Sequence, residues 1–391
     1  MNAAPILLRG MTWNHTRGYL PMVATAQRFM ELHPGVEIVW EKRTLKAFEE
    51  FPVEQLAADY DLIVLDHPFV GYAAVHGPLL PLDAHLPAAF LADQAAQAVG
   101  ASHASYAYAG HHWALAIDAA TPVAFWREDL LARLGLAVPG TWDELLALAR
   151  AGHVEIPAAP INCLMNFYTF CLAAGETPFA TPDQVASVET GRAALGALRQ
   201  LVSLCSPGCW DRNPIASHDL VASAANTRVA YCPLAYGYSN YARPGYADHR
   251  LAFGEPPSYH GAPLRTTLGG TGLAVSALRP QRATALAYAR FVASPEIQRT
   301  LFAAAGGQPG HRSAWTDAGN NALSGDYFAR TLPVLDRAFL RPRHNGYMEF
   351  QQAAGPVVHA ALRGQVDERE ALDQLDALYR RSLLHPGNQK S

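Results

Sequence analysis

Trp13, His15 and Arg17 stand close together in the stretch RGMTWNHTRGYLP, Arg9 to Pro21. An indole offers a flat apolar face, an imidazole a donor or acceptor, and a guanidinium a two-pronged clamp for a carboxylate or phosphate. A plain connecting loop would be small and polar instead. A second segment of this kind, DHPFVG, sets Asp66 beside His67. The bland alternative is that Trp13 covers the core, His15 and Arg17 are solvated, and Asp66 caps a turn before Pro68. Further along, AYGYSNY collects Tyr236, Tyr238 and Tyr241 among Gly, Ser and Asn, the composition of a surface turn. With Trp13 and Trp126, these rings would suit a sugar or a similar small molecule.

Covalent and metal chemistry find little support. The chain contains no G-x-S-x-G, no H-E-x-x-H and no Walker A motif. GGTG, Gly269 to Gly272, lacks the Lys of a phosphate loop and reads as a strand entering a tightly packed sheet. Cys163 could act as a nucleophile only if a base lay nearby, and the sequence identifies none. Adjacent His111 and His112 would point to opposite faces of a strand, so no shared metal is expected. The 5 cysteines are odd in number and show no C-x-x-C, which favours free, buried thiols. No cofactor is expected.

The elements that must position these residues read as βαβαβ over the first seventy residues or so. Ile6 to Leu8 is a short buried strand, and Met22, Ala26, Phe29 and Met30 share one helical face that ends at HPG. VEIVWEKR alternates as a half-buried strand, Phe48 to Ala58 is helical, and DLIVLD is a continuous apolar run suited to a central strand. Alternating strands and helices imply a parallel sheet, whose ligands sit beyond the carboxyl ends of the strands. TWNHTR follows the first strand and DHP the third, so both would face one crevice. Thr141 and Glu144 predict a capping box, residues 161–171 a buried helix, and Ala371, Leu375 and Leu378 a terminal amphipathic helix.

Composition narrows the partners. Half of the 391 residues are hydrophobic, 16% are charged and the formal net charge is -4, with no basic stripe. Nucleic acid and anionic membranes are therefore not expected partners. No apolar run approaches the roughly 18 residues of a membrane span, and MNAAPILLRGMTW shows no leader pattern. Taken literally, this predicts a cytoplasmic protein. A removed leader or a misplaced start would predict export.

Taken in order, LLPLDAHL, YAYAGHHWALAIDAATPVAFWREDLLARLGLAVPGTWDELLALA and GGTGLAVSA…ALAYARFVASPEIQRTLFAAAGGQPGHRSAW make the sequence resemble the family 1 extracellular solute-binding proteins. These are substrate-binding components of ABC importers for sugars and related solutes. The resemblance spans roughly residues 5 to 320. It implies an α/β, two-lobed periplasmic-binding-protein-like (type II, Venus-flytrap) fold with discontinuous lobes. Lobe one would take 1–112 plus 268–312, and lobe two 113–267 plus 313–391. A small polar solute (sugar, sugar acid or other organic acid) would lie between them, and an ABC permease would be the partner of an exported monomer. By position, the resemblance marks Trp13, His15, Arg17, Asp66 and His67 in lobe one and Asp118 near the hinge. It marks Tyr236 and Tyr238 on an aromatic platform and Gly270 on the return crossover. Arg17 is more than a neutral sugar requires, which raises the option of an acidic solute. Two alternatives stay open: an enzyme on the same scaffold, thiaminase-like and dependent on Cys163, and a cytoplasmic ligand sensor.

Overall fold

The computed structural model of the chain describes residues 5–44 and 53–388. The strands used below, in chain order, are β1 (Ile6–Trp13), β2 (Val36–Arg43), β3 (Leu62–Asp66), β4 (Leu115–Ala116), β5 (Pro122–Trp126), β6 (Tyr231–Tyr236), β7 (Ala252–Gly254) and β8 (Thr271–Val275). The helices used below are α1 (Thr16–Leu32), α2 (Trp142–Arg150), α3 (Pro160–Ala173), α4 (Val188–Val202), α5 (Arg282–Val292), α6 (Tyr347–Leu362) and α7 (Glu368–Ser382).

One sheet has the order β2-β1-β3-β8-β4. β1 pairs in parallel with β2 and β3, as the alternation of strands and helices predicts. β8 runs antiparallel to β3 and β4, because it returns from the other half of the molecule rather than from a βα crossover. β3 lies in the middle and is apolar on both faces, which accounts for its unbroken LIVL run. The pairing of β1 with β2 depends on Gly10, since a Cβ there would sit 2.7 Å from the Trp40 ring. α1 and α5 cover this sheet through Met22, Ala26, Phe29, Ala285, Tyr288 and Ala289. Of the helix expected over Phe48 to Ala58, the part from Val53 is helical and residues 48–52 lie outside the described residues.

The second sheet has the order β6-β5-β7 and is antiparallel throughout. Its residues alternate between two cores. Ala124, Trp126, Tyr231 and Leu234 join a cluster with α2, α3, α4, α6 and α7. Val123, Phe125, Cys232, Ala235 and Phe253 join a second with Trp315, Tyr327 and Phe328. The expected capping box on α2 is present, with Thr141 and Glu144 each bonding the other's backbone.

The chain passes between the sheets at Ile117–Thr121 and again before β8. The two passages are hydrogen-bonded to each other, Asp118 N to Thr271 O at 3.0 Å and Gly269 N to Ala120 O at 2.7 Å. Gly270 has φ +99, and a Cβ on it would meet Asp118 O at 2.3 Å. Only glycine fits without strain. Gly270→Ala is therefore expected to destabilise the protein by about 1–3 kcal/mol, measured by urea denaturation. A loss below a few tenths would show that the passage relaxes freely.

Candidate functional site

A cavity of about 550 Å³ lies between the two sheets. From the first half it is lined by Trp13 at the end of β1, Arg17 in the first turn of α1, Asp66 at the end of β3, and Thr271 opening β8. The carboxyl ends of β1 and β3 thus face one crevice, as open parallel sheets require. From the second half come Asn162 and Met165 of α3, Tyr236 and Tyr238, Arg341, and Gln351 and Gln352 of α6. Gly269 and Gly270 complete the wall between them. Two aromatic rings lie flat against glycine backbones: a Cβ at Gly18 would stand 2.4 Å from Trp13, and one at Gly269 would stand 2.5 Å from Tyr236. The glycines set how deeply these rings seat.

Arg17 reaches the cavity wall, but its guanidinium is committed to the protein. Nε donates to Asp118 Oδ2 at 2.9 Å, Nη2 donates to Asp118 Oδ1, and Nη1 donates to Gly237 O at 2.9 Å. Both side chains of the pair are buried. Burial works against the Arg17 charge, yet the Asp118 carboxylate holds it protonated and raises its pKa. The Tyr238 ring stacks below it at 4.8 Å. The expectation that Arg17 supplies donors for a ligand anion is corrected here, because Asp118 already fills its fork. Asp118 itself is not among the lining residues.

His15 also has a different task. Its Nδ1 accepts from Arg17 N at 3.0 Å and caps α1, while its ring packs edge-on to Tyr238 at 4.6 Å. Burial, aided by the Arg17 charge, lowers its pKa to about 3, so it is neutral. His67 is buried behind Asp66, neutral for the same reason, with neither ring nitrogen hydrogen-bonded. Neither histidine lines the cavity. Tyr241, expected on a surface turn, is buried and donates to Asp219 Oδ1 at 2.5 Å. The AYGYSNY segment is not a surface turn, because it packs against α1 of the other half.

Several polar groups in the wall lack protein partners. Among the described residues the Asp66 carboxylate has no hydrogen bond or ion pair, and burial raises its pKa against the pull of Arg341. Asn162 Oδ1 and Thr271 Oγ1 are buried without a partner. Arg341 gives only Nη1, to Gln351 Oε1 at 2.6 Å. Unsatisfied buried polar atoms are costly, and a cluster of them in one cavity marks a place built for a guest. Sequence reading missed Asn162, Arg341, Gln351 and Gln352. A trace of the first is visible as a lone polar residue near the start of an apolar helix, whereas Arg341 sits in AFLRPRHNG with no pattern around it.

Cys163 points away from this chemistry. It is buried, its Sγ donates to Ala158 O at 3.1 Å, and burial raises its pKa well above that of a free thiol. It does not line the cavity, and the 5 cysteines are free thiols. Among the described residues no cluster of His, Cys, Asp and Glu could hold a metal ion, and no helix is long and apolar enough to cross a membrane.

The bacterial extracellular solute-binding protein family matches residues 24–319 of the chain. Solved structures agree over almost the whole length. Maltose-bound MalE3 of T. maritima superimposes with a TM-score of 0.83 at 16% identity, covering 96% of this chain and 99% of that one. An ABC transporter solute-binding protein from Agrobacterium radiobacter K84, in complex with ribitol, gives 0.80 at 20% identity, covering 97% and 99%. One from Thermotoga Lettingae, bound with α-D-tagatose, gives 0.80 at 19% identity, covering 97% and 100%. At these identities the likeness concerns the two-lobed fold.

Proposed function

The chain belongs to the bacterial extracellular solute-binding proteins, and from that premise we propose that it holds one small polyhydroxylated solute between its lobes and delivers it to an ABC importer. The observation that carries this reading is the cavity itself. Aromatic faces at Trp13, Tyr236 and Tyr238 stand beside Asp66 and beside polar atoms that lack a partner among the described residues, Asn162 Oδ1, Thr271 Oγ1 and Arg341 Nε. A sugar or sugar derivative has the matching pattern, with an apolar ring face and an edge of hydroxyls. Asp66 accepts from two hydroxyls, and Asn162 and Thr271 exchange hydrogen bonds with others. Solved relatives in this fold hold maltose, ribitol, tagatose and mannitol.

The first lobe runs to the Ile117–Thr121 passage, past the boundary at 112 expected from sequence because β4 pairs with β8 in its sheet, and takes the return from about 268 to 312; the second lobe takes the rest of the described residues. Arg17, Asp118 and Gly237 tie them together beside the ligand, with Gly270 giving the return passage its turn. Closure of the lobes on the solute is the signal that the permease reads. The protein acts as a monomer outside the cytoplasmic membrane.

The test is a thermal-shift screen of sugars, polyols and sugar acids on the folded protein. A ligand present at one hundred times its Kd should add about 2.7 kcal/mol of stability. Asp66→Asn should weaken that ligand at least tenfold, while leaving the fold of the free protein intact. If no member of the screen stabilises the protein, this reading fails.

A further inference from the structure

Arg341 lines the cavity with 4% of its surface exposed, and it stands in contrast to Arg17. Among the described residues it has no carboxylate within ion-pair distance, and its one hydrogen-bond acceptor is the neutral Gln351. Asp66 acts on its charge from beyond ion-pair distance. A buried guanidinium so poorly matched is expensive unless an anion arrives to meet it. A second positive feature points at the same space. Ala159, Pro160, Ile161 and Asn162 form the start of α3 and all line the cavity. No side chain caps this helix; Pro160 has no N–H, and the Asn162 and Cys163 N–H groups bond Ala159 O, so the amino end offers the Ile161 N–H and the positive pole of its dipole.

We infer that the solute carries a single carboxylate, held between Arg341 and the amino end of α3, with its hydroxyls turned toward Asp66. This rests on the solute-binding reading given above and names the class of solute: a polyhydroxylated monocarboxylic acid such as an aldonic or uronic acid. Asp66 and Asp211 share the cavity with Arg341, so no more than one further negative charge can be set against Arg341 and the helix end. A phosphate dianion would add a second charge in a cavity that already holds Asp66 and Asp211 and has Asp118 behind it. The aromatic faces would take the carbon skeleton, and Asn162 Nδ2 would donate to the acid or to the adjacent hydroxyl.

The experiment compares acids with their neutral counterparts: D-glucuronate with D-glucose, D-galacturonate with D-galactose, and D-gluconate with D-glucitol. Affinities are read by calorimetry and thermal shift on the wild type, Arg341→Gln and Asn162→Asp. In at least one pair the acid should bind at least tenfold more tightly than its neutral partner. Arg341→Gln should erase that preference, and Asn162→Asp, which sets a negative charge at the amino end of α3, should weaken the acids at least tenfold more than their neutral counterparts. Should Arg341→Gln fail to fold, Asn162→Asp alone carries the decision. Equal or tighter binding of the neutral members overturns the acid subsite and leaves solute binding standing. An acid preference that survives both substitutions also overturns it. If neither class binds, the acid subsite and the solute-binding reading fall together.

Discussion

Asp118→Ala is expected to lower the unfolding free energy by about 3–5 kcal/mol, the usual result of stranding one partner of a buried ion pair. Arg17 is 4% exposed and receives both oxygens of Asp118, so the alanine would leave a guanidinium with only Gly237 O for company. Neither solvent nor another carboxylate can take over without opening the structure, because the pair sits where α1, the Ile117–Thr121 passage and the end of β6 converge. Replacing both partners, Arg17→Met with Asp118→Leu, should restore much of the loss, since two apolar groups carry no unpaired charge. Urea denaturation of the two single variants and the double variant checks this. A loss below about 1 kcal/mol in Asp118→Ala would mean that Arg17 is solvated in solution and free to meet a ligand.

Acid should destabilise the protein steeply below pH 6.5. His67, His112 and His218 are buried and neutral, with pKa values lowered by burial, to about 3 for His112 and His218 and well below the ordinary value for His67. In the unfolded chain each titrates near the ordinary 6.5. Above that pH neither state carries the proton, and the stability is fully present. As the pH falls below 6.5 the unfolded chain takes up protons that the native state refuses, so stability is lost. Each histidine contributes a slope of up to about 1.4 kcal/mol per pH unit, these three together about 4, and His15 and His344, lowered to about 3 and about 4, act in the same sense. The buried carboxylates Asp66 and Glu155, raised by burial, act in the opposite direction once the pH reaches their own range. Urea melts at pH 7.5, 6.5 and 5.5 follow this loss. His218, stacked on Phe125 at 4.1 Å, allows a direct control. His218→Phe should keep the packing and reduce the slope by about 1.4 kcal/mol per pH unit. An unchanged slope would show that His218 protonates in the native state.

Periodicity and composition carried much of the fold. The βαβαβ start, the apolar central β3, the capping box on α2 and the buried α3 were all legible, because each depends on residues a few positions apart. Family-like blocks such as TWDEL and SPEIQ added the two-lobed arrangement. The carboxyl-end rule then placed Trp13 and Asp66 at the crevice without any side-chain coordinates. What sequence could not supply was the fate of each polar group there. Arg17 and Arg341 look alike as residues, and Arg17 sits in the more suggestive motif. Residue type fixes what a guanidinium can bind, and only the fold decides whether a carboxylate is already bound to it. Asp118, 101 positions along the chain from Arg17, meets it and makes it structural. Arg341, on an unpatterned segment, meets only Gln351 and is left facing the cavity. The sequence by itself determined the elements and the wall of the cleft from β1 and β3, because local spacing fixes strands, helices and their ends. Tertiary structure decided which charges remain open to a solute, because ion pairing depends on contacts between distant segments that no local pattern records.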